Sequence, residues 1–167
     1  MKLKSAGRRL ATGAAALAVA GTTMLTGAVP ANASTTTING WSTWSSPVRC
    51  KDSGGASGLM FCIYYSPGAE GAMTMEYQLQ DGQIDETFWK KDQYGSAGYG
   101  QKVRNNAASV ENASSSTIGV WVYPWFYGDA NYVPAGRGGN LTSNLRNNEA
   151  SWGMVDYLNR GGQVRLD

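Results

Sequence analysis

The chain has 167 residues, 14 Lys plus Arg, 12 Asp plus Glu and no His, a formal charge of +2. Zero His excludes Ser-His-Asp and Cys-His catalysis, His-ligated zinc and a histidine pH switch. Charge near zero with no Lys/Arg cluster excludes a nucleic-acid footprint, and the sequence as a whole reads as that of a non-enzyme.

Residues 1–33 read as a secretory signal. Lys2, Lys4, Arg8 and Arg9 make a basic start, Ala14 to Leu25 a weakly apolar stretch, and Ala31-Asn32-Ala33 a small-x-small cleavage site. The apolar run is too short and too interrupted to span a bilayer, so a secreted product without a membrane span is expected. Cleavage leaves 134 residues from Ser34, enough for one domain that buries about two-thirds of its unfolded surface. Four of the 14 cations and none of the 12 carboxylates lie in 1–33, so the remainder carries −2.

Residues 34–49 form a polar lead rich in Thr and Ser, with Trp41 and Trp44 read as docking on the domain. Cys50 and Cys62 are the only cysteines, and an even count in an exported chain predicts a disulfide. Closing that loop stabilises by about 3 kcal/mol on the chain-entropy account. From Leu59 onward the pattern is all-β. Leu59 to Tyr65 is a strand-forming run ended by the turn signal Ser66-Pro67-Gly68. In Ala72 to Leu79, Met73, Met75, Tyr77 and Leu79 alternate with Thr74, Glu76 and Gln78, which predicts one apolar and one polar face. Asp81 to Lys91 is the best place for a short helix. Ile118, Val120 and Val122 alternate with Gly119, Trp121 and Tyr123 in a second strong strand. The carboxylates Glu70, Glu76, Asp85 and Glu86 read as a solvated face, with Asp85 and Glu86 pointing apart if they lie on a strand.

An internal repeat organises these elements. Arg104-Asn105-Asn106-Ala107-Ala108-Ser109 recurs 42 residues later as Arg146-Asn147-Asn148-Glu149-Ala150-Ser151. Each copy follows an aromatic strand with a Gly seven positions after its aromatic, Tyr64 to Gly71 and Trp121 to Gly128. Two such units predict two Greek-key motifs paired into one sandwich. The first unit is longer, and its extra residues fall around Asp85 to Tyr99.

Aromatic-x₆-Gly strands followed by Asn-Asn-x-Ala-Ser resemble the βγ-crystallin fold. Cys50…Phe61-Cys62-Ile63-Tyr64 and Asn105 to Asn112 resemble more specifically the secreted bacterial peptidase-inhibitor family typified by Streptomyces metalloproteinase inhibitor. The resemblance covers roughly Cys50 to Trp152. It implies an inhibitor domain over 50–158 with a tail at 159–167, a monomer whose partner is a secreted, thermolysin-like metallopeptidase. The family's reactive segment falls at Pro124 to Asn131, where Trp125, Phe126 and Tyr127 would fill an apolar cleft pocket. The family's second disulfide has no cysteines here.

No cofactor is required, but crystallin-type turns can bind calcium, which makes Asn105, Asn106, Ser109, Asn147, Asn148 and Ser151 candidate ligands. The same residue types also close turns through side-chain to backbone hydrogen bonds. The alternative function is a non-inhibitory module that binds calcium, or the cell wall and its carbohydrates through exposed Trp and Tyr.

Overall fold

A computed structural model describes residues 35–37, 48–52, 60–91 and 93–161. The expected signal, Trp41, Trp44 and the tail beyond Gly161 lie outside the described residues. Strand β1 (Thr35–Thr37) and helix α1 (Val48–Asp52) come first. The first repeat unit supplies β2 (Phe61–Ser66), β3 (Glu70–Glu76), β4 (Gln80–Asp81) and β5 (Ser109–Asn112). The second supplies β6 (Ile118–Tyr123), β7 (Tyr127–Val133), β8 (Gly138–Asn140) and β9 (Ser151–Met154), followed by helix α2 (Val155–Asn159).

One sheet runs β3-β2-β5-β8 and the other β1-β7-β6-β9-β4. Each unit keeps three strands in its own sheet and lends its third, β4 or β8, to the other. This reciprocal exchange interlocks two Greek keys into one all-β, crystallin-type sandwich, as the repeat predicts. The pairs are antiparallel except that β1, from the segment read as a polar lead, runs parallel to β7 with Thr35 opposite Ala130.

Phe61 and Ile63 of β2, Val110 of β5, Ile118, Val120 and Val122 of β6, and Trp152 of β9 fill the space between the sheets. The Phe61 and Trp152 rings lie 5.3 Å apart at its centre. The alternation read for β6 therefore points its aliphatic residues inward. β2 reads as a continuous apolar run because both of its faces are buried. Cys62 and Tyr64 turn away from the main core into a second cluster with Cys50, Met60, Met73 and Met75.

The expected disulfide joins Cys50 of α1 to Cys62 of β2. Buried Glu111 tightens the same junction, accepting the Cys50 N–H and the Tyr64 hydroxyl at 2.8 Å each. Arg49 lies between the Tyr64 and Tyr94 rings, 4.8 and 4.5 Å from their centres, and donates to the Gly71 carbonyl at 2.8 Å.

Two local expectations are corrected. The apolar face of β3, Met73 and Met75, joins the second cluster, while Thr74 and Glu76 share the inward face with Ala72 and are buried. Residues 82–91 and 93–104 cause this by folding over the edge of β3. Lys90 bridges to Met73, and the Trp89 indole donates to the Thr74 hydroxyl at 3.1 Å. Nor is 81–91 a helix. Its backbone bonds go to distant partners, with Phe88 donating to Gln101 at 2.9 Å and Val103 to Glu86 at 3.0 Å, so the segment stays extended.

Candidate functional site

The two Asn-Asn-x-Ala-Ser turns have the same conformation and touch. Asn105 and Asn147 are left-handed, at φ 63° and 57°, a region Asn tolerates better than most residues with a Cβ. The Asn105 N–H donates to the Glu149 carbonyl at 3.0 Å, and the Asn147 N–H to the Ala107 carbonyl at 2.8 Å, so each turn closes on the other. The Asn106 amide nitrogen donates within its own turn to the Lys102 carbonyl at 3.0 Å, and that of Asn148 to the Asn144 carbonyl at 3.1 Å.

The serines lie elsewhere, each beneath its own hairpin. Ser109 Oγ accepts the Ala69 N–H at 3.0 Å and donates to the Ser66 carbonyl. Ser151 Oγ accepts the Phe126 N–H at 3.1 Å and donates to the Tyr123 carbonyl at 2.7 Å. Both hydroxyls are thus used as donor and acceptor in holding the folded hairpins. A hard cation needs a cage of free oxygens. Both hydroxyls and both x-position carbonyls already carry hydrogen bonds from the fold, which therefore competes with a cation for these oxygens.

Between the turns lies a carboxylate that sequence reasoning missed. Glu149 is 0 % exposed. Its Oε1 accepts the N–H groups of Asn106 at 3.1 Å and Ala107 at 2.9 Å, and its Oε2 that of Asn148 at 3.1 Å. Burial pushes its pKa up to about 7, outweighing the backbone bonds that favour the charged form. The available signal was the one position where the repeats differ within the motif, Ala107 against Glu149.

The aromatic segment forms the tip of the β6–β7 hairpin. Trp125 and Phe126 are consecutively left-handed, at φ 62° and 66°, matching Gly68 and Ala69 at 78° and 55° in the first unit. Holding a residue with a Cβ there costs about 1–2 kcal/mol each, so the second hairpin carries strain that the first relieves with a glycine. Trp125 donates its N–H to the Gly82 carbonyl at 2.6 Å, and its indole lies where a Cβ on residue 82 would fall. Phe126 packs edge-on against Trp121, with ring centres 5.3 Å apart. Tyr127 is 58 % exposed beside its cross-strand neighbour Tyr123, itself 60 % exposed and absent from the sequence expectation. The three predicted loop aromatics therefore divide: two partly buried as supports, one displayed.

Beside Gly82, on β4 and the segment that follows it, Asp81, Asp85 and Glu86 converge, with carboxylate oxygens all within 4.8 Å of one another. Asp85 and Glu86 do not point apart, because the segment carrying them is not a regular strand. Burial, then the charge of Glu86, pushes the pKa of Glu76 up to about 8. Burial, then the charges of Asp81 and Asp85, pushes Glu86 up to about 7.

No family model and no curated protein matches the chain. Among solved structures, it overlaps a chain described under "Evolution of the eye lens beta-gamma-crystallin domain fold", at 13 % identity and a TM-score of 0.43, over 59 % of this chain and 87 % of that one. It also overlaps the N-terminal domain of Protein S at 17 % identity and a TM-score of 0.41, over 57 % of this chain and 94 % of that one. The fold itself rests on the strand order and the exchange of β4 and β8. Among the described residues no helix is long and apolar enough to cross a membrane.

Proposed function

We propose that the chain is a secreted peptidase inhibitor that acts without chemistry of its own, offering the Tyr123–Tyr127 corner to the cleft of a thermolysin-like metallopeptidase. The observation that carries this reading is the pre-organisation of the corner. Strained, bulky residues stand where the first unit has Gly68 and Ala69, and they are tied down by Ser151 and Gly82. Those ties take over the clamping that a second disulfide gives the resembled family. A rigid aromatic loop loses little entropy on binding, which is what tight occupancy of a cleft requires.

Titration of the purified protein against a thermolysin-like metallopeptidase tests the reading. Inhibition that weakens in Tyr127→Ala and Tyr123→Ala supports it. Absence of inhibition across several metallopeptidases overturns it.

A second reading, a wall- or carbohydrate-binding module, is favoured by exposed Trp89, Tyr77 and Tyr99. Pull-down on insoluble cell-wall polysaccharide, lost in Trp89→Ala, would identify it.

A further inference from the structure

We infer that the carboxyl groups of Asp81, Asp85 and Glu86 form a pH-operated latch on the aromatic corner. It holds Trp125 while Glu86 keeps a proton and releases it once that proton is lost. The inference rests on the reading of this corner as the binding element. Gly82, between Asp81 and Glu86 in the chain, is where residues 81–86 meet the corner. Its carbonyl accepts the Trp125 N–H at 2.6 Å, and the Trp125 indole fills the space that a side chain there would need. The flanking residues are pinned, Asp81 opposite Trp152 of β9 and the Ile84 N–H on the Ala150 carbonyl at 2.9 Å. Gly82 and Gln83 between them are shaped by Asp81, whose carboxylate accepts the Gln83 N–H at 2.8 Å. The orientation of that one carboxylate therefore sets how the Gly82 carbonyl is aimed at Trp125.

Three carboxylates within 4.8 Å of one another repel strongly when all are charged. Burial, then the charge and hydrogen bond of Asp81, push the pKa of Glu86 up to about 7, so below neutral pH Glu86 donates to Asp81. Glu76 of β3, buried beside Glu86, is pushed up to about 8 by burial and by the Glu86 charge. Lys102 bridges to Thr87, and its ammonium donates to the Asp85 carbonyl at 2.6 Å. β9 faces Gln80 and Asp81 with Gly153 and Trp152, which carry no charge. Above neutral pH Glu86 ionises, Glu76 follows, and four like charges push one another apart. The Asp81 carboxylate then turns from Glu86, and the Gln83 tie and the Gly82 carbonyl move with it. Trp125, strained at a left-handed φ of 62°, loses the bond that restrains it.

The test follows Trp125 in the full chain from pH 5 to pH 9 in chelator, as the difference in acrylamide quenching of tryptophan emission between the parent and Trp125→Phe. The Trp125 contribution should become about twofold more quenchable, with a midpoint near pH 7 and unchanged circular dichroism. Glu86→Gln keeps an oxygen for the Asp85 N–H and an amide that donates to Asp81 at every pH, so Trp125 should stay protected to pH 9. Glu149→Gln, at a buried carboxylate of similar pKa outside the cluster, should leave the transition in place. The inference is overturned by a parent without the transition, by a transition that persists in Glu86→Gln or vanishes in Glu149→Gln, or by one that accompanies loss of circular dichroism. Should Trp125→Phe fail to fold, protection of the Trp125 N–H against hydrogen exchange serves instead. It should fall about tenfold over the same range in the parent and hold in Glu86→Gln, and equal behaviour of the two overturns the latch. Neither readout needs a peptidase. A chain that shows the transition but inhibits nothing refutes the inhibitor reading and keeps the latch, and inhibition without the transition does the reverse.

Discussion

Raising the pH from 5 to 9 should destabilise this protein, although acid is the commoner threat to a folded domain. Glu76 and Glu149 are both buried, with pKa values pushed up from 4.5 to about 8 and about 7. Between the unfolded and folded values, the folded protein holds a proton that the unfolded chain releases. Their contribution is therefore fully present below pH 4.5 and is lost as pH rises through the folded values. At about 1.36 kcal/mol per pH unit, the intervals correspond to up to about 5 kcal/mol for Glu76 and up to about 3 kcal/mol for Glu149. Against a typical stability of 5–15 kcal/mol, even half of that is a large fraction. Urea unfolding at pH 5, 7 and 9 is the assay. The midpoint should fall steadily across the series and level off above pH 8. Glu76→Gln, whose amide oxygen can still accept the Thr74 hydroxyl, should flatten the upper part of the profile and exceed the parent in stability at pH 9. A midpoint that holds or rises between pH 5 and pH 9 would refute the reasoning.

Three further outcomes are expected. Ser151→Ala should lower stability by about 1–2 kcal/mol in chemical denaturation, because it removes two bonds under the hairpin; Ser109→Ala should cost about the same. Gly82→Ala should displace the Trp125 indole, read as a change in tryptophan emission, and should weaken any peptidase inhibition. Changing Cys50 and Cys62 together to Ser should cost about 3 kcal/mol, with the fold retained by circular dichroism.

Much of the architecture was legible because repetition is a global signal. Two copies of aromatic-x₆-Gly and Asn-Asn-x-Ala-Ser in the same order require two equivalent units, and two units burying one face each make a sandwich. β6 was legible for a local reason, since both the core and the strand period act on Ile118, Val120 and Val122. β3 was misread because alternation shows that the two faces differ but not which one meets the main core. Only residues 82–91 and 93–104, folded back over the edge, make burial of Thr74 and Glu76 tolerable. Asp85 and Glu86 likewise converge on Asp81 in a segment whose carbonyls accept from distant groups, Asp85 from the Lys102 ammonium and Glu86 from the Val103 N–H, contacts that no local window contains.

The sequence by itself determined the all-β class, the pairing of Cys50 with Cys62, the two equivalent turns and the aromatic segment of the second hairpin. Each depends on residue type, spacing or repetition along the chain. Tertiary structure alone decided that Tyr123 and Tyr127 face solvent while Trp125 and Phe126 support them. It also decided that Ser109 and Ser151 pin hairpins and that Glu149 fills the joint. Those outcomes depend on which backbone N–H groups converge when two distant turns meet, and hydrogen-bond partners more than 20 residues apart leave no periodic trace in the chain.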